Sequence, residues 1–298
     1  MASKIETEVH TLLLLAVPNI SEGGDDRLIA ECAAAAQLGG ARTLDLHSDA
    51  VHNRSVLTIA GHPAELVAGM TELASLASDI DMSEHRGVHP RLGGLDVCPF
   101  VPYEATMADA VTVARTTAIS IARRSGLPVY LYGEASLRPE TRELPDIRRG
   151  GLEALAERAR TDQPPDQGPR RIDLARGVVC VGARGPLIAF NVWLASDGDV
   201  ARRIASEVRE PGTLRALGIR LESGTSQVSM NLTQPHSLGI DEAFDRVAAS
   251  AATLGARVTN TEIVGLVPER FLPSPDATAA RLLFEPGRSV ESVLRREG

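Results

Sequence analysis

Aromatic residues are scarce in this sequence of 298 amino acids, since five Phe, three Tyr and one Trp make up only 3% of it. A packed core is still expected, because 43% of the residues are hydrophobic. That core must consist mainly of Leu, Val, Ile and Ala. The length accommodates one large domain or two domains of ordinary size.

Cysteine is also rare. Cys32, Cys98 and Cys180 are odd in number, lie far apart and form no CxxC pair. This pattern argues against a disulfide framework and against a structural zinc site, and it fits a reducing compartment. We therefore predict a cytoplasmic protein.

Long apolar runs are absent as well. The most apolar stretch, "TLLLLAVP" (11–18), is too short to span a membrane. A secretory signal would need basic residues before it, and only Lys4 is available, flanked by Glu6 and Glu8. We predict a buried strand over 12–17 and no membrane partner.

Positive charge is in deficit, with 31 Lys and Arg against 39 Asp and Glu, a net charge of −8. A general nucleic-acid binder is usually basic, so we predict no nucleic-acid partner. Acidic small molecules remain possible substrates, because a local arginine cluster acts at short range. Three common signatures are missing: GxGxxG before a helix, the P-loop and GxSxG.

Strands and helices alternate through the first half of the chain. A region rich in proline and charge follows; it is typical of a linker, with one short helix near 150–160 and its least structured part at 161–171. The predicted elements before it are a strand (12–17), an Ala-rich helix ending at Gly39–Gly40, a strand–turn–strand (41–61), a helix from Pro63, a strand (95–102), a helix (107–125) and a strand (128–133).

The second half repeats the alternation. We expect two strands around a tight turn (177–195), a helix (197–210), a hairpin (214–233), a helix (239–255), a strand (261–268) and weak helical character near the end of the tail. Both halves thus mix helices and strands in comparable amounts, which predicts an α/β (α+β) fold in which each half could be a sheet with helices packed on one face.

Polar residues cluster at the predicted strand ends, where α/β proteins tend to place their sites. Each cluster alone has an ordinary explanation as turn residues, solvated histidines or the solvent face of a sheet. In the second strand of the predicted hairpin over 214–233, Gln227, Ser229 and Asn231 alternate and share one face. The clusters are "HSDAVHNRS" (47–55), "HRGVHPR" (85–91), "GEAS" (133–136), "GAR" (182–184) with Asn191, and "SQVSMN" (226–231).

Histidines in the first two clusters leave metal binding open. Four histidines and Asp49 offer nitrogen and oxygen ligands. Gly87 and Pro90, however, place the HxxxH spacing in a loop rather than on a helix, so metal is the weaker hypothesis. The histidines are His47, His52, His85 and His89.

Taken together and in order, the clusters resemble the formiminotransferase family. The resemblance spans nearly the whole chain, and such long joint matches are specific. The matching stretches are "VPNISEG" (17–23), "HNRSVLT" (52–58), "IDMSEHRGVHPRLGGLDVCPFVP" (80–102), "PVYLYGEAS" (128–136), "GARGPLIAFNVWL" (182–194), "QVSMNLT" (227–233) and "EIVGLVP" (262–268). With the chain stopping at 298, we expect no cyclodeaminase module.

The resemblance implies a homodimer with two subdomains, residues 1–176 and 177–298, and a folate site in the groove between them. It implies that each subdomain is a mixed β-sheet with helices packed on one face, ferredoxin-like in character. It implies transfer of a formimino group from N-formimino-L-glutamate to N5 of tetrahydrofolate, the co-substrate, in histidine degradation. It also implies that no metal takes part. The family's catalytic histidine lies in its His-Pro-Arg motif, which here contains His89.

This chemistry suits a histidine, because the attacking amine must lose a proton and the leaving nitrogen must gain one near neutral pH. A carboxylate such as Asp49 would orient the ring of His89. Arginines would bind the carboxylates of donor and folate. The predicted substrate- and folate-binding residues are His52, Asn53, Arg54, Arg91, Glu134, Arg184, Asn191, Gln227, Ser229 and Asn231.

Two positions depart from the family pattern. Val88 stands where the family usually has Glu, and Val51 stands where it often has an acidic residue. Loss of a charge partner alters the orientation and pKa of a histidine. Two alternatives therefore stay open: a folate-binding protein on the same fold without transfer activity, and a transferase that uses another formimino donor.

Overall fold

Two β-sheets organise the chain. The computed structural model describes residues 12–87, 90–221, 224–273 and 289–297. The first sheet has the order β3-β4-(β1, β2)-β5-β7-β6, with β1 and β2 both lying between β4 and β5. Its strands are β1 (Leu13–Ala16), β2 (Asn19–Ile20), β3 (Arg42–Asp49), β4 (Arg54–Gly61), β5 (Leu95–Glu104), β6 (Val129–Gly133) and β7 (Val179–Ala183). The pairs β5–β7 and β6–β7 are parallel and the others antiparallel, so this sheet is mixed, as predicted.

Three helices cover one face of the first sheet: α1 (Asp26–Ala36), α2 (Pro63–Ala77) and α3 (Met107–Ser125). Their ends follow from local sequence. Asp25 caps α1 by accepting the N–H groups of residues 27 and 28, and Pro63 opens α2 at a position that needs no N–H donor. Gly126, with φ 72°, ends α3 in the left-handed region.

The other face of this sheet is also covered, which corrects the expectation of helices on one face only. The supposed linker forms α4 (Pro139–Arg142), α5 (Leu144–Arg148) and α6 (Gly151–Arg160). Residues of α5 and α6 pack on Tyr130, Tyr132 and Cys180. Tyr130 Oη also donates a hydrogen bond to the carbonyl of Gln163, at 2.9 Å. Apolar packing thus fixes a segment whose prolines and charges suggest a linker.

A C-terminal helix packs on the same face. This helix, α9 (Val290–Glu297), places the fully buried Val290 against Leu15, Ala60 and Val101. The weak helical pattern expected near the end of the tail is therefore a real helix, and its docking site is the first sheet.

The second sheet has the order β11-β8-β10-β9, and all its pairs are antiparallel. The expectation of a mixed sheet is wrong for this subdomain. Helix α7 joins β8 to β9 and helix α8 joins β10 to β11, and the two strands of each pair run in the same direction without being neighbours, so every neighbouring pair is antiparallel. The helices pack on one face, as predicted. The elements are β8 (Ile188–Ala195), α7 (Gly198–Val208), β9 (Leu214–Arg220), β10 (Ser226–Leu232), α8 (Ile240–Thr253), β11 (Arg257–Val264) and a 3-10 turn (Glu269–Phe271).

The predicted hairpin over 177–195 is wrong. Its first strand, β7, lies between β5 and β6 in the first sheet, whereas its second strand, β8, lies between β11 and β10 in the second. The chain crosses from one sheet to the other between Ala183 and Ile188. The expected division after residue 176 therefore does not coincide with the division between the sheets.

The face of the second sheet that bears no helices is polar. Even-numbered residues of β8 and β10, such as Phe190 and Met230, enter the core beneath α7 and α8. Odd-numbered residues occupy the opposite face. Two contacts show that this face is turned toward the first subdomain: His47 meets Glu262, and Arg215 pairs with Glu143. Within the described residues, no helix is both long and apolar enough to cross a membrane.

Candidate functional site

The turn between β3 and β4 holds a carboxylate–imidazole pair. Asp49 Oδ1 accepts the backbone N–H groups of Val51 and His52, at 2.8 and 2.9 Å. Asp49 Oδ2 lies 2.6 Å from Nδ1 of the buried His52 ring. Burial alone would raise the pKa of Asp49, but the bonds from His52 and the turn lower that pKa to about 2. The sequence predicts that Asp49 orients His89, which lies outside the described residues, and the histidine that contacts this carboxylate in the structure is His52.

Asn53 joins this turn to two other loops. Its backbone is in the left-handed region, with φ 47°, which Asn tolerates better than most residues. Its Oδ1 accepts the N–H of Gly23 at 2.9 Å, and its Nδ2 donates to the carbonyl of Arg86 at 2.8 Å. A Cβ on Gly23 would lie 2.2 Å from the Asp49 carbonyl oxygen, so only glycine allows this approach. The predicted binding amide of Asn53 therefore has an internal, structural role.

Arg91 closes over the same turn. Its guanidinium donates to the carbonyls of Asn53 and His52, at 2.5 and 2.6 Å, and lies 3.0 Å from Nε2 of His85. Burial lowers the pKa of Arg91 to about 10, although the nearby Asp96 opposes that shift. Arg91 thus fixes two successive carbonyls with its planar fork of donors.

The predicted catalytic residue, His89, and its neighbour Val88 lie outside the described residues. Residues on either side of them contact the β3–β4 turn, Gly87 by its backbone and Arg91 by its side chain. A Cβ on Gly87 would lie 2.6 Å from the carbonyl oxygen of His52, and Arg91 bonds that same oxygen.

A buried charge cluster adjoins the turn. Asp96 forms an ion pair with Arg148 and accepts the N–H of Leu92 at 2.8 Å. Burial lowers the pKa of Arg54, against the attraction of Asp96, and within the described residues the guanidinium of Arg54 makes no hydrogen bond. Burial also disfavours the charge on Arg148, but Asp96 outweighs this and the pKa of Arg148 is raised. Sequence reasoning missed Arg148, because it lies in the supposed linker.

Two further predicted residues follow the parallel strands β6 and β7. Arg184 is half-buried and donates to the carbonyl of Gly185 at 3.0 Å; burial lowers the pKa of Arg184, and the nearby Tyr132 opposes this shift. Glu134, in contrast, is nearly half exposed and lies 2.6 Å from Arg142 at the surface. The structure therefore places Arg184 near the buried arginines and directs Glu134 away from them.

A polar contact links the two subdomains at the edge of this cluster. Asn191 Nδ2 donates to Glu262 Oε2 at 2.9 Å, and His47 Nε2 lies 3.3 Å from Glu262 Oε1. The hydrogen bond from His47 lowers the pKa of Glu262, with help from Asn191 and against burial. The charge of Glu262 is also repelled by that of Asp49 and attracted by that of Arg54. Sequence reasoning missed Glu262, although it opens the matched stretch "EIVGLVP".

The same sheet face carries two unpartnered groups. Gln227 is fully buried, and among the described residues neither its Oε1 nor its Nε2 has a hydrogen-bond partner. Trp193, its direct neighbour across β8 and β10, has a buried Nε1 that likewise finds no partner in the described part of the chain. Ser229 lies opposite Asn191 and is half-buried, whereas Asn231 is exposed. Unsatisfied buried polar groups are uncommon in folded proteins, so this pair calls for an explanation.

The metal hypothesis gains no support from the described histidines, since His52 is engaged by Asp49 and His47 by Glu262. Within the described residues, no three His, Cys, Asp or Glu side chains are grouped to hold a metal ion.

Comparison with known families gives two matches along the chain. The formiminotransferase domain, N-terminal subdomain, matches residues 13–184, and the formiminotransferase domain matches residues 189–278. The chain belongs to the formiminotransferase family. The family matches meet between residues 184 and 189, where the chain crosses from the first sheet to the second.

Individual relatives agree with this family. A glutamate formimidoyltransferase from Streptococcus pyogenes is 38% identical over 86% of this chain and 89% of its own length. One from Thermoplasma acidophilum is 39% identical over 87% and 89%. A formimidoyltransferase-cyclodeaminase from Sus scrofa is 39% identical over 87% of this chain but only 51% of its own.

Proposed function

We propose that this protein transfers the formimino group of N-formimino-L-glutamate to N5 of tetrahydrofolate, giving 5-formiminotetrahydrofolate and glutamate. The observation that carries the proposal is the similarity to two glutamate formimidoyltransferases over at least 86% of both chains in each pair. By this function the protein acts in histidine degradation and one-carbon metabolism.

The reaction needs proton transfer at two nitrogens. N5 of tetrahydrofolate attacks the amidine carbon and loses a proton, and the glutamate nitrogen gains a proton as its bond to that carbon breaks. His89 accepts the first proton and delivers the second. The anchoring of Gly87 and Arg91 on the β3–β4 turn supports this assignment, because it holds the loop that carries His89. Asp49 then acts as a positioning residue, through His52 and the turn.

Arginines bind the carboxylates of both substrates. Arg54 suits this role best, because its charge is desolvated and its guanidinium makes no hydrogen bond within the described residues. Arg91 is already engaged by two carbonyls, so it contributes charge and holds the loop. Arg184 adds positive charge near Tyr132.

Tetrahydrofolate lies between the subdomains, against the polar face of the second sheet. The unpartnered amide of Gln227 supports this placement, because a folate ring or amide offers the donors and acceptors that it lacks. Asn191, Ser229 and Asn231 extend the polar face along the strands. Glu134 is proposed only as a surface neighbour of the site, given its pairing with Arg142.

The protein is further proposed to be a cytoplasmic homodimer. Its three cysteines are free and buried, which suits a reducing compartment. Burial raises the pKa of all three thiols, to about 12 for Cys32, so they are poor nucleophiles at neutral pH.

The exposure of Val51 bears on the alternative of a protein that binds folate without transferring the formimino group. Val51 is 50% exposed at the tip of the turn, so its side chain takes no part in the buried Asp49–His52 pair. An uncharged residue at 51 is therefore compatible with an intact turn. This observation favours the transferase over a protein that binds folate without transfer.

A transfer assay with the full chain tests the proposal. Wild-type protein should convert N-formimino-L-glutamate and tetrahydrofolate to 5-formiminotetrahydrofolate, and His89→Ala should lower kcat by about 10²- to 10⁴-fold. His236→Ala is the matched control, since His236 packs edge-on against Phe271 in the second subdomain. Full activity in His89→Ala would contradict the assignment of His89. Folate binding without turnover, for any of a panel of formimino donors, would favour the binding protein instead.

A further inference from the structure

Glu262 is a carboxylate of the second subdomain that contacts β3, the strand leading into the β3–β4 turn. It extends from β11 toward His47 on β3, with Asn191 beside it on β8. Its carboxylate is 25% exposed, so it lies at the interface between the subdomains without being sealed from solvent. Three strands from two sheets therefore hold one carboxylate in place.

The charge of this carboxylate is not neutralised by a strong base. Its partners among the described residues are the Asn191 amide and the His47 imidazole, and no arginine or lysine pairs with it there. The other carboxylates near the turn are engaged differently. Glu22 Oε1 accepts three successive backbone N–H groups. Asp49 is used by His52 and by two backbone N–H groups, and Asp96 is used by an ion pair. Glu262 is thus the nearby anion best able to receive a cation.

The donor of the proposed reaction carries such a cation. Its formamidine group is protonated at neutral pH and presents N–H donors on two nitrogens around the carbon that is attacked. A carboxylate oxygen has two lone pairs, so Glu262 can keep its bonds to Asn191 and His47 and still accept two N–H groups. Two parallel N–H···O bonds between planar ions form a strong and directional pair.

The position of Arg54 suits the α-carboxylate of the donor. In N-formimino-L-glutamate the formamidine nitrogen and the α-carboxylate are attached to the same carbon, so a cation and an anion lie side by side. Arg54 lies opposite Asp49 in the β3–β4 pairing, two residues along β3 from the His47 that contacts Glu262, and therefore on the same face of the sheet as His47. Opposite charges in this arrangement, on β4 and β11, are complementary to the two groups of the donor.

We propose that Glu262 binds the protonated formamidine group of the donor, while Arg54 binds the adjacent α-carboxylate. Asn191 and His47 are positioning residues that orient the Glu262 carboxylate. Glu262 thereby determines specificity for a formimino compound over a neutral acyl compound of the same shape. This inference rests on the proposed function, because it names the group recognised at that same site.

Two ligands that differ in charge test the proposal. N-formyl-L-glutamate has nearly the shape of N-formimino-L-glutamate but carries a neutral amide. Calorimetry with the wild-type protein should show tighter binding of the formimino compound by about tenfold or more. Glu262→Gln should remove most of this preference and raise the KM for the donor about 10- to 100-fold, with the Kd for tetrahydrofolate unchanged.

Two further variants separate charge from structure. Glu207→Gln is the matched control, since Glu207 is an exposed carboxylate of α7 paired with Arg203, and the preference should be unchanged. Glu262→Asp keeps the charge and should keep a preference for the formimino compound. Equal loss of preference in Glu262→Asp and Glu262→Gln would show that shape rather than charge is recognised, and would overturn the proposal.

The outcomes for this inference and for the proposed function differ. Wild-type protein that transfers the formimino group but binds both ligands equally would overturn the role of Glu262 alone. Wild-type protein that binds neither ligand and transfers nothing would overturn the proposed function as well.

Discussion

The β3–β4 turn and the polar face of the second sheet contrast in how their polar groups are satisfied. In the turn, Asp49, His52 and Asn53 are bonded to one another or to neighbouring backbone. On the sheet face, Gln227 and Trp193 present buried polar atoms that have no partner among the residues the structure describes. The two regions meet where His47 contacts Glu262.

The contrast indicates that the two regions have different functions. A turn whose donors and acceptors are internally paired is rigid, which suits a region that must hold a catalytic loop. A buried amide without partners costs free energy, and such a cost is expected where a ligand later supplies the missing bonds. We infer that the first subdomain supplies the scaffold and the second supplies much of the recognition surface.

Asp96→Asn, in the charge cluster beside the β3–β4 turn, should lower the stability of the protein most. The substitution leaves Arg148 and Arg54 buried without their counter-charge, and the free energy of unfolding should fall by about 3–5 kcal/mol. Glu143→Gln is the control, because Glu143 pairs with Arg215 at the surface and should contribute less than about 1 kcal/mol. Urea denaturation measures both. Equally small losses would contradict a buried role for Asp96.

Asp49→Asn should have an intermediate effect that depends on pH. The pKa of Asp49 is about 2 in the folded protein against 3.8 for the free group, which corresponds to about 2 kcal/mol of stability. Because the folded-state pKa is lowered, this stabilisation is present above pH 3.8 and is lost as pH falls through 2. Denaturation across that range should show the gap to wild type closing.

The control for Asp49→Asn is Glu157→Gln, at an exposed residue of α6 that should change stability little at any pH. A gap between Asp49→Asn and wild type that is as large at pH 2 as at pH 7 would refute the electrostatic explanation.

Gln227→Met should have the smallest effect, and one of opposite sign. Removing the unpartnered amide should raise the free energy of unfolding by about 1 kcal/mol while weakening tetrahydrofolate binding. Gln163→Met is the matched control, because the buried Gln163 amide is bonded to Arg158 and to the carbonyl of Glu140. That variant should be destabilised. Similar destabilisation of both variants would remove the contrast between the two regions.

Most of the fold could be predicted locally. The helix over 107–125 follows from its cap residues and from Gly126, and the hairpin of β9 and β10 follows from two β-rich runs around a turn. The hairpin predicted from β7 and β8 failed because adjacency in sequence was taken for adjacency in a sheet. Strand pairing between β7 and β5 is a long-range contact that no local pattern encodes.

The candidate site was predictable in part. The motifs located Asp49, His52, Asn53, Arg54 and Arg91, which the structure brings to one turn and its neighbours. Their roles were not predictable, because whether an amide or a guanidinium bonds a ligand or the protein depends on what lies beside it. Arg148 and Glu262 were missed for the same reason, since their charges matter only through partners distant in sequence.

The sequence by itself determined the family, the order of helices and strands, and the residues that can carry the chemistry, because these depend on residue identity and short-range periodicity. Tertiary structure alone decided that β7 joins the first sheet, that Asp49 contacts His52, and that Glu262 meets His47 across the two subdomains. Those outcomes depend on distances between remote segments, which burial and strand pairing set.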